Sequence, residues 1–95
     1  MFVRVTHYRL KPGSIDAAKQ LLEGIRPKIM ALPGMIQFVN AVNPDGSGCV
    51  FSINESRQIS DGNDAAVQAI WAAFRDHLAA PPTAEGYDVF ADWRK

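Results

Sequence analysis

"MIQFVNAVNPDGSGCVFSINES", residues 35–56, is the stretch on which the fold turns. Two runs rich in β-branched and aromatic residues flank "PDGSG" (44–48), whose Pro, Asp and Gly suit a tight reversal. The pattern predicts a strand over 35–43 and a strand over 49–56, paired as a hairpin. In the second of them, "CVFSINES", polar Ser52 and Asn54 alternate with apolar Phe51 and Ile53. That alternation raises the question of whether the polar pair meets water, a core or a ligand.

Outward from the hairpin, the elements repeat. "FVRVTHYRL" (2–10) reads as a strand that stops at the turn signal "KPG". Ser14 stands where a helix cap would, and Ile15, Ala18, Leu22, Ile25 and Ile29 recur at the spacing of one helical face, predicting a helix over 14–31 that Pro27 kinks. "LPG" at 32–34 ends it. Beyond the hairpin, Val67, Ile70, Trp71, Phe74 and Leu78 form a second helical stripe, stopped by Pro81 and Pro82, and "EGYDVFADW" (85–93) gives a last strand.

The order is βαββαβ. With right-handed crossovers it predicts an α+β, ferredoxin-like domain over residues 1–95: a four-stranded antiparallel sheet with two helices on one face. The more apolar sets, Val3 and Val5 on the first strand, Phe51 and Ile53 on the third and Tyr87, Val89 and Ala91 on the last, are assigned to the helices. That sends Phe2, Arg4, Thr6, Tyr8, Leu10, Ile36, Phe38, Asn40, Val42, Val50, Ser52, Asn54, Asp88 and Phe90 to the opposite face. So much apolar surface requires a cover, and a second copy packed sheet to sheet supplies it. Thr6, Tyr8, Asn40, Ser52 and Asn54 then bound a semi-enclosed ligand site.

Composition narrows the function. The chain has 47% hydrophobic and 21% charged residues, as ordinary globular domains do. Ten Lys plus Arg balance ten Asp plus Glu without long runs, which argues against a nucleic-acid partner. Cys49 is the single cysteine, so no internal disulfide forms and a reducing, cytoplasmic setting fits. No apolar run approaches the ~18 residues of a membrane-spanning helix, and no secretory leader is expected. Two histidines about seventy residues apart, without a Cys or carboxylate cluster, do not make a metal site. His7 could shuttle protons or ligate haem iron; its alternation with Val3 and Val5 makes it a strand-end residue near the helix layer. His77 is the other candidate axial ligand, at the edge of the second stripe. Trp71 could stack on a planar ligand, although its place on that stripe reads as core. Asp88 could pair with Arg4.

"VRVTHYRLKPG" (3–13), a helix with a late Pro, "LPGMIQF" (32–38) and "FSINES" (51–56) together resemble the antibiotic biosynthesis monooxygenase family of the dimeric α+β barrel superfamily, over nearly the whole chain. The resemblance implies a homodimer whose clefts hold small aromatic or polyketide-like molecules, oxidised by O2 with no metal or flavin cofactor; other relatives bind and degrade haem. Two departures stand out. Asn54 precedes Glu55 where many members carry an aromatic, and residues 56–82 lack the family's Ala, His and Ser-Pro-His pattern. No catalytic residue is therefore transferred. A non-catalytic ligand-binding or interaction dimer is the alternative reading, and haem binding the second.

Overall fold

Strand β1 (Phe2–Arg9) lies inside the sheet, hydrogen-bonded on both sides, and this position governs what its side chains can do. The computed structural model describes residues 1–95. The remaining elements are α1 (Ile15–Met30), β2 (Met35–Val42), β3 (Ser47–Asn54), α2 (Arg57–Gly62), α3 (Asp64–Ala72), a short 3-10 turn (Arg75–His77) and β4 (Thr83–Asp88). The four strands form one antiparallel sheet in the order β2-β3-β1-β4. This is the ferredoxin-like α+β arrangement predicted from the sequence. No helix is long and apolar enough to cross a membrane.

Local chemistry accounts for the joints. Ser14 takes the cap position of α1, but its hydroxyl makes no capping bond; its backbone carbonyl accepts from Ala18 N at 2.9 Å. Asp16 in the first turn and Lys28 in the last complement the helix dipole. In the hairpin, Asp45 Oδ1 accepts from Ser47 N at 2.9 Å and Ser47 Oγ at 2.6 Å. Gly46 adopts φ +89°, open to glycine because it has no Cβ. A Cβ there would also lie 2.7 Å from the Leu10 carbonyl oxygen.

The second helical region is broken, where the stripe had predicted one helix. Ser56 Oγ caps α2 by accepting from Ile59 N at 3.2 Å. The helix ends at Gly62 with Asn63 as its cap, and Asn63 Nδ2 donates to the Pro33 carbonyl at 2.9 Å. After α3 the 3-10 turn runs to Leu78, which bridges to Leu10. The strand limits also shift: β3 begins at Ser47 and ends at Asn54, and β4 begins at Thr83 and ends at Asp88. Phe90 thus lies beyond the sheet.

The largest correction is to the facing of the sheet. Phe2 is 1% exposed, the largest fully buried side chain, and Leu10 and Val50 are buried with it. These residues, with Arg4, Thr6, Tyr8, Ser52 and Asn54, look toward the helices. Val3, Val5, Phe51 and Ile53 lie on the open face, and Tyr87 pairs with Val3 in the same row. Asp88 is opposite Phe2, on the helix side. In β2 a bulge between Met35 and Gln37 displaces Ile36, after which Phe38, Asn40 and Val42 also turn to the helices. The assignment inverted because both faces of the sheet are apolar, so the rule that apolar residues face inward could not choose between them.

Phe2 tests this facing. Phe2→Ala is expected to destabilise the fold by about 3–5 kcal/mol, the usual effect of emptying a buried aromatic site. Chemical denaturation monitored by circular dichroism measures it. A loss under about 1 kcal/mol, as for an exposed residue, would return Phe2 to the open face.

Candidate functional site

The helix-facing rows of β1 and β2 are apolar at their ends and polar in the middle, and β3 adds Ser52 and Asn54 beside them, so helices that cover the apolar ends leave a cavity over the polar groups. Its volume is about 150 Å³, and it lies between the sheet, α1 and α3, partly open to solvent. Thr6, Tyr8, Asn40, Ser52, Asn54 and Trp71 line it together. His7 does not. It is exposed on the open face, opposite Cys49 and Thr83 on the neighbouring strands. The expected alternation of His7 with Val3 and Val5 holds, and the whole row lies on the other side. His77 also lies outside the cavity, its backbone carbonyl accepting from Lys11 N at 2.8 Å.

Ser52 and Asn54 therefore face neither solvent nor a dry core. Asn54 is 2% exposed, and its amide donates to the Ser52 carbonyl at 3.1 Å and to Ser52 Oγ at 3.4 Å. Both bonds use Nδ2, leaving Oδ1 free to accept. Thr6, buried further along the sheet opposite Val50, makes no side-chain hydrogen bond within the protein. No fully buried side-chain polar atom lacks a partner, so the free oxygens of Thr6 and Asn54 open into the cavity.

At the β2 side, Tyr8 OH donates to Asn40 Oδ1 at 2.6 Å. The Trp71 ring tilts against Tyr8 at 5.7 Å and against Phe74 at 6.1 Å, an edge-and-face cluster that fixes one wall. Burial raises the Tyr8 phenol above its ordinary 10.0; a charged Cys49 adds to the rise, and the Asn40 amide opposes it. Tyr8 is thus a neutral hydrogen-bonding group throughout the physiological range.

At the other end Arg4 was expected to meet Asp88. Instead its Nε donates to Ser60 Oγ at 3.3 Å and its terminal nitrogen to Asp61 Oδ1 at 2.8 Å. Asp88 is 3.5 Å from Arg57, whose guanidinium lies 4.4 Å over the Phe2 ring. The difference comes from α2, which lay in a stretch read only as polar and brings Ser60, Asp61 and Arg57 over β1. Ser60, Asn63 and Phe38 also line the cavity. The available signal for Ser60 was the capping serine Ser56 ahead of it, which announces a short helix. Apart from Tyr8, the ionisable lining residues are Arg4 and Lys19, so the cavity wall holds no carboxylate or imidazole. No group of three or more His, Cys, Asp or Glu side chains is placed to hold a metal ion.

No protein-family model and no curated protein matches the sequence. Solved structures do match over nearly the full chain. A protein of unknown function from Nitrosomonas europaea superposes with a TM-score of 0.81 at 18% identity, covering 99% of this chain and 93% of that one. A monooxygenase of Streptomyces coelicolor, crystallised with Nanaomycin D, gives 0.78 at 20% identity, covering 99% and 91%. A third structure, an antibiotic biosynthesis monooxygenase, gives 0.77 at 17% identity, covering 96% and 100%. The chain thus has the fold found in structures of the family that its sequence resembles.

The state of Tyr8 is measurable. In a spectrophotometric titration Tyr8 is expected to ionise above pH 10.0. Tyr8→Phe should remove that component. Because folding favours the neutral phenol, the linked stability is present below the unfolded pKa of about 10 and is lost as pH rises through the folded value. A Tyr8 midpoint at or below 10 contradicts the burial argument.

Proposed function

We propose that this chain, as one domain over residues 1–95, binds one small aromatic molecule in the cavity between sheet and helices and works as a homodimer. The observation that carries the reading is the semi-enclosed, mostly apolar cavity of about 150 Å³ into which Thr6 and Asn54 turn unengaged oxygens. A volume of ~150 Å³ admits a benzene-sized ring. Apolar walls gain from burying such a ring, and the few polar groups fix its orientation. A phenolic hydroxyl suits the site: it can donate to Asn54 Oδ1 at one end of the cavity or accept from Thr6, which the register places opposite Val50 further along the strands.

Oxidation of the bound molecule by O2 is the reaction that the likeness to named monooxygenases adds. Such a reaction balances without an external reductant when a substrate CH2 becomes C=O. The carbon gains one oxygen atom, and the second leaves as water with the two hydrogens. Removing the first proton ordinarily calls for a base with a pKa near neutrality. Tyr8, held protonated, does not supply one, which restricts the reaction to substrates acidic enough to ionise themselves. Haem is disfavoured, because His7 and His77 both lie outside a cavity with room for one ring.

The homodimer rests on the open sheet face. Val5, Phe51 and Val39 form one row across three strands there, with Phe51 39% and Val39 42% exposed. Beyond β4, Phe90 and Trp93 are fully exposed. A second copy that packs on this face removes the row from water, with Phe51 in the contact in place of Phe38, which turns to the helices.

Two measurements test these readings. Phenol titrated against the Trp93→Phe protein, with Trp71 as the remaining fluorophore, should change the emission, and Asn54→Leu should weaken binding about tenfold, as expected for the loss of a hydrogen bond worth ~1–1.5 kcal/mol. The variant should fold as well as the parent; unchanged affinity would move the site elsewhere. For the dimer, sedimentation at micromolar concentration should give a two-chain particle that Phe51→Asp dissociates, because it places an unpaired charge in the contact. A wild-type particle of one-chain mass would remove the dimer.

A further inference from the structure

The cavity is too small for anything beyond a single ring, yet it does not end at its own walls. On the β4 side, the gap between α3 and β4 forms an open groove of about 560 Å³. Groove and cavity share Arg4, Thr6, Val67 and Trp71, so the two spaces meet at these side chains. Past Trp71 the groove is walled by Leu78 and Ala84 and floored by small and proline residues, with Asp64 and Arg75 of opposite charge at its rim. Such a channel suits an uncharged aliphatic chain better than an anionic group, since Arg4 is already engaged by Asp61 and the charge of Arg75 is balanced by Asp64 in the same lining.

We infer that the ligand class is a monocyclic aromatic bearing an unbranched alkyl chain, with the ring in the cavity and the chain in the α3–β4 groove, and that Trp71 is the specificity-determining residue at the junction. This inference rests on the cavity reading above and adds the second compartment to it. A further groove, of about 380 Å³ between α1 and β2, borders the cavity at Leu22, Ile29, Phe38 and Asn40. The packing favours the β4 side. Helix α1 is anchored by buried Ala18 and Ile29, whereas neither α3 nor β4 has a fully buried residue. An element with few buried contacts parts from the sheet at lower free energy.

Calorimetric titration with two probes, phenol and 4-pentylphenol, tests the inference. The wild-type protein should bind 4-pentylphenol at least tenfold more tightly than phenol. Ala84→Trp, which fills the groove from β4, should abolish that advantage while phenol still binds, and Ala72→Trp, from the facing helix, should do the same if the strand variant folds poorly. Glu23→Trp, in the α1–β2 groove, should leave the advantage intact. Equal affinity for both probes in the wild type, an advantage that survives both groove-filling variants, or an advantage lost only in Glu23→Trp overturns the groove assignment and leaves the cavity reading standing. Failure of the wild type to bind either probe overturns the cavity reading, and this inference with it.

Discussion

Burial of Phe2 fixes the register of everything that faces the helices. β1 is paired along its length with β3 and β4, so neither edge is free and only its two faces remain for side chains. Once Phe2 is packed under Arg4 and Arg57 at one end and Leu10 is buried against Ala18 and Phe74 at the other, every second residue between them must point the same way. Those residues are Arg4, Thr6 and Tyr8. The strand cannot withdraw them from the interior without also exposing Phe2 and Leu10, a loss larger than the penalty of enclosing Arg4 and Tyr8, which have partners, and Thr6, whose hydroxyl opens into the cavity.

A cavity follows from that constraint. Polar side chains in the middle of an apolar-ended row do not pack tightly against helix side chains, and the helices above them, Ala18 and Leu22 from α1 and Val67 and Trp71 from α3, close over a gap. The hydrogen bonds around the gap act as spacers: Tyr8 to Asn40 on one side, Asn54 to Ser52 on the other, and Arg4 to Ser60 and Asp61 at the end. Each holds a group at the wall that would otherwise collapse inward or demand water. The outer face carries Val3, Val5, Val39, Phe51 and Ile53 together, with His7, Thr83 and Glu85 grouped toward the β4 side, and its apolar rows suit a partner surface.

The element order and the hairpin were legible in the sequence because turn signals such as "PDGSG" and "LPG" and the apolar stripe of α1 are local features. The cavity lining was partly legible too: Thr6, Tyr8, Asn40, Ser52 and Asn54 were grouped correctly, since alternation along paired strands puts residues of one parity together whichever face they occupy. The face itself was not legible. Phe2 and Val3 are adjacent and both apolar, and only the packing of α1 and α2 decides which of them is covered. α2 was lost because Arg57, Gln58, Ser60 and Asp61 give no apolar stripe; its position comes from one cap at Ser56 and from tertiary bonds to β1. His7 went to the wrong side for the same reason as its row.

The account stands on the helix-facing row of β1 and β3 being the ligand-contacting surface. Nuclear magnetic resonance of the labelled protein during a phenol titration tests that claim directly. The account predicts that the Asn54 side-chain amide, the Thr6 methyl and the Trp71 indole resonances shift together and saturate at one concentration, while those of His7 and Phe51 do not move. Shifts confined to His7, Phe51 and their neighbours on the open face would contradict it.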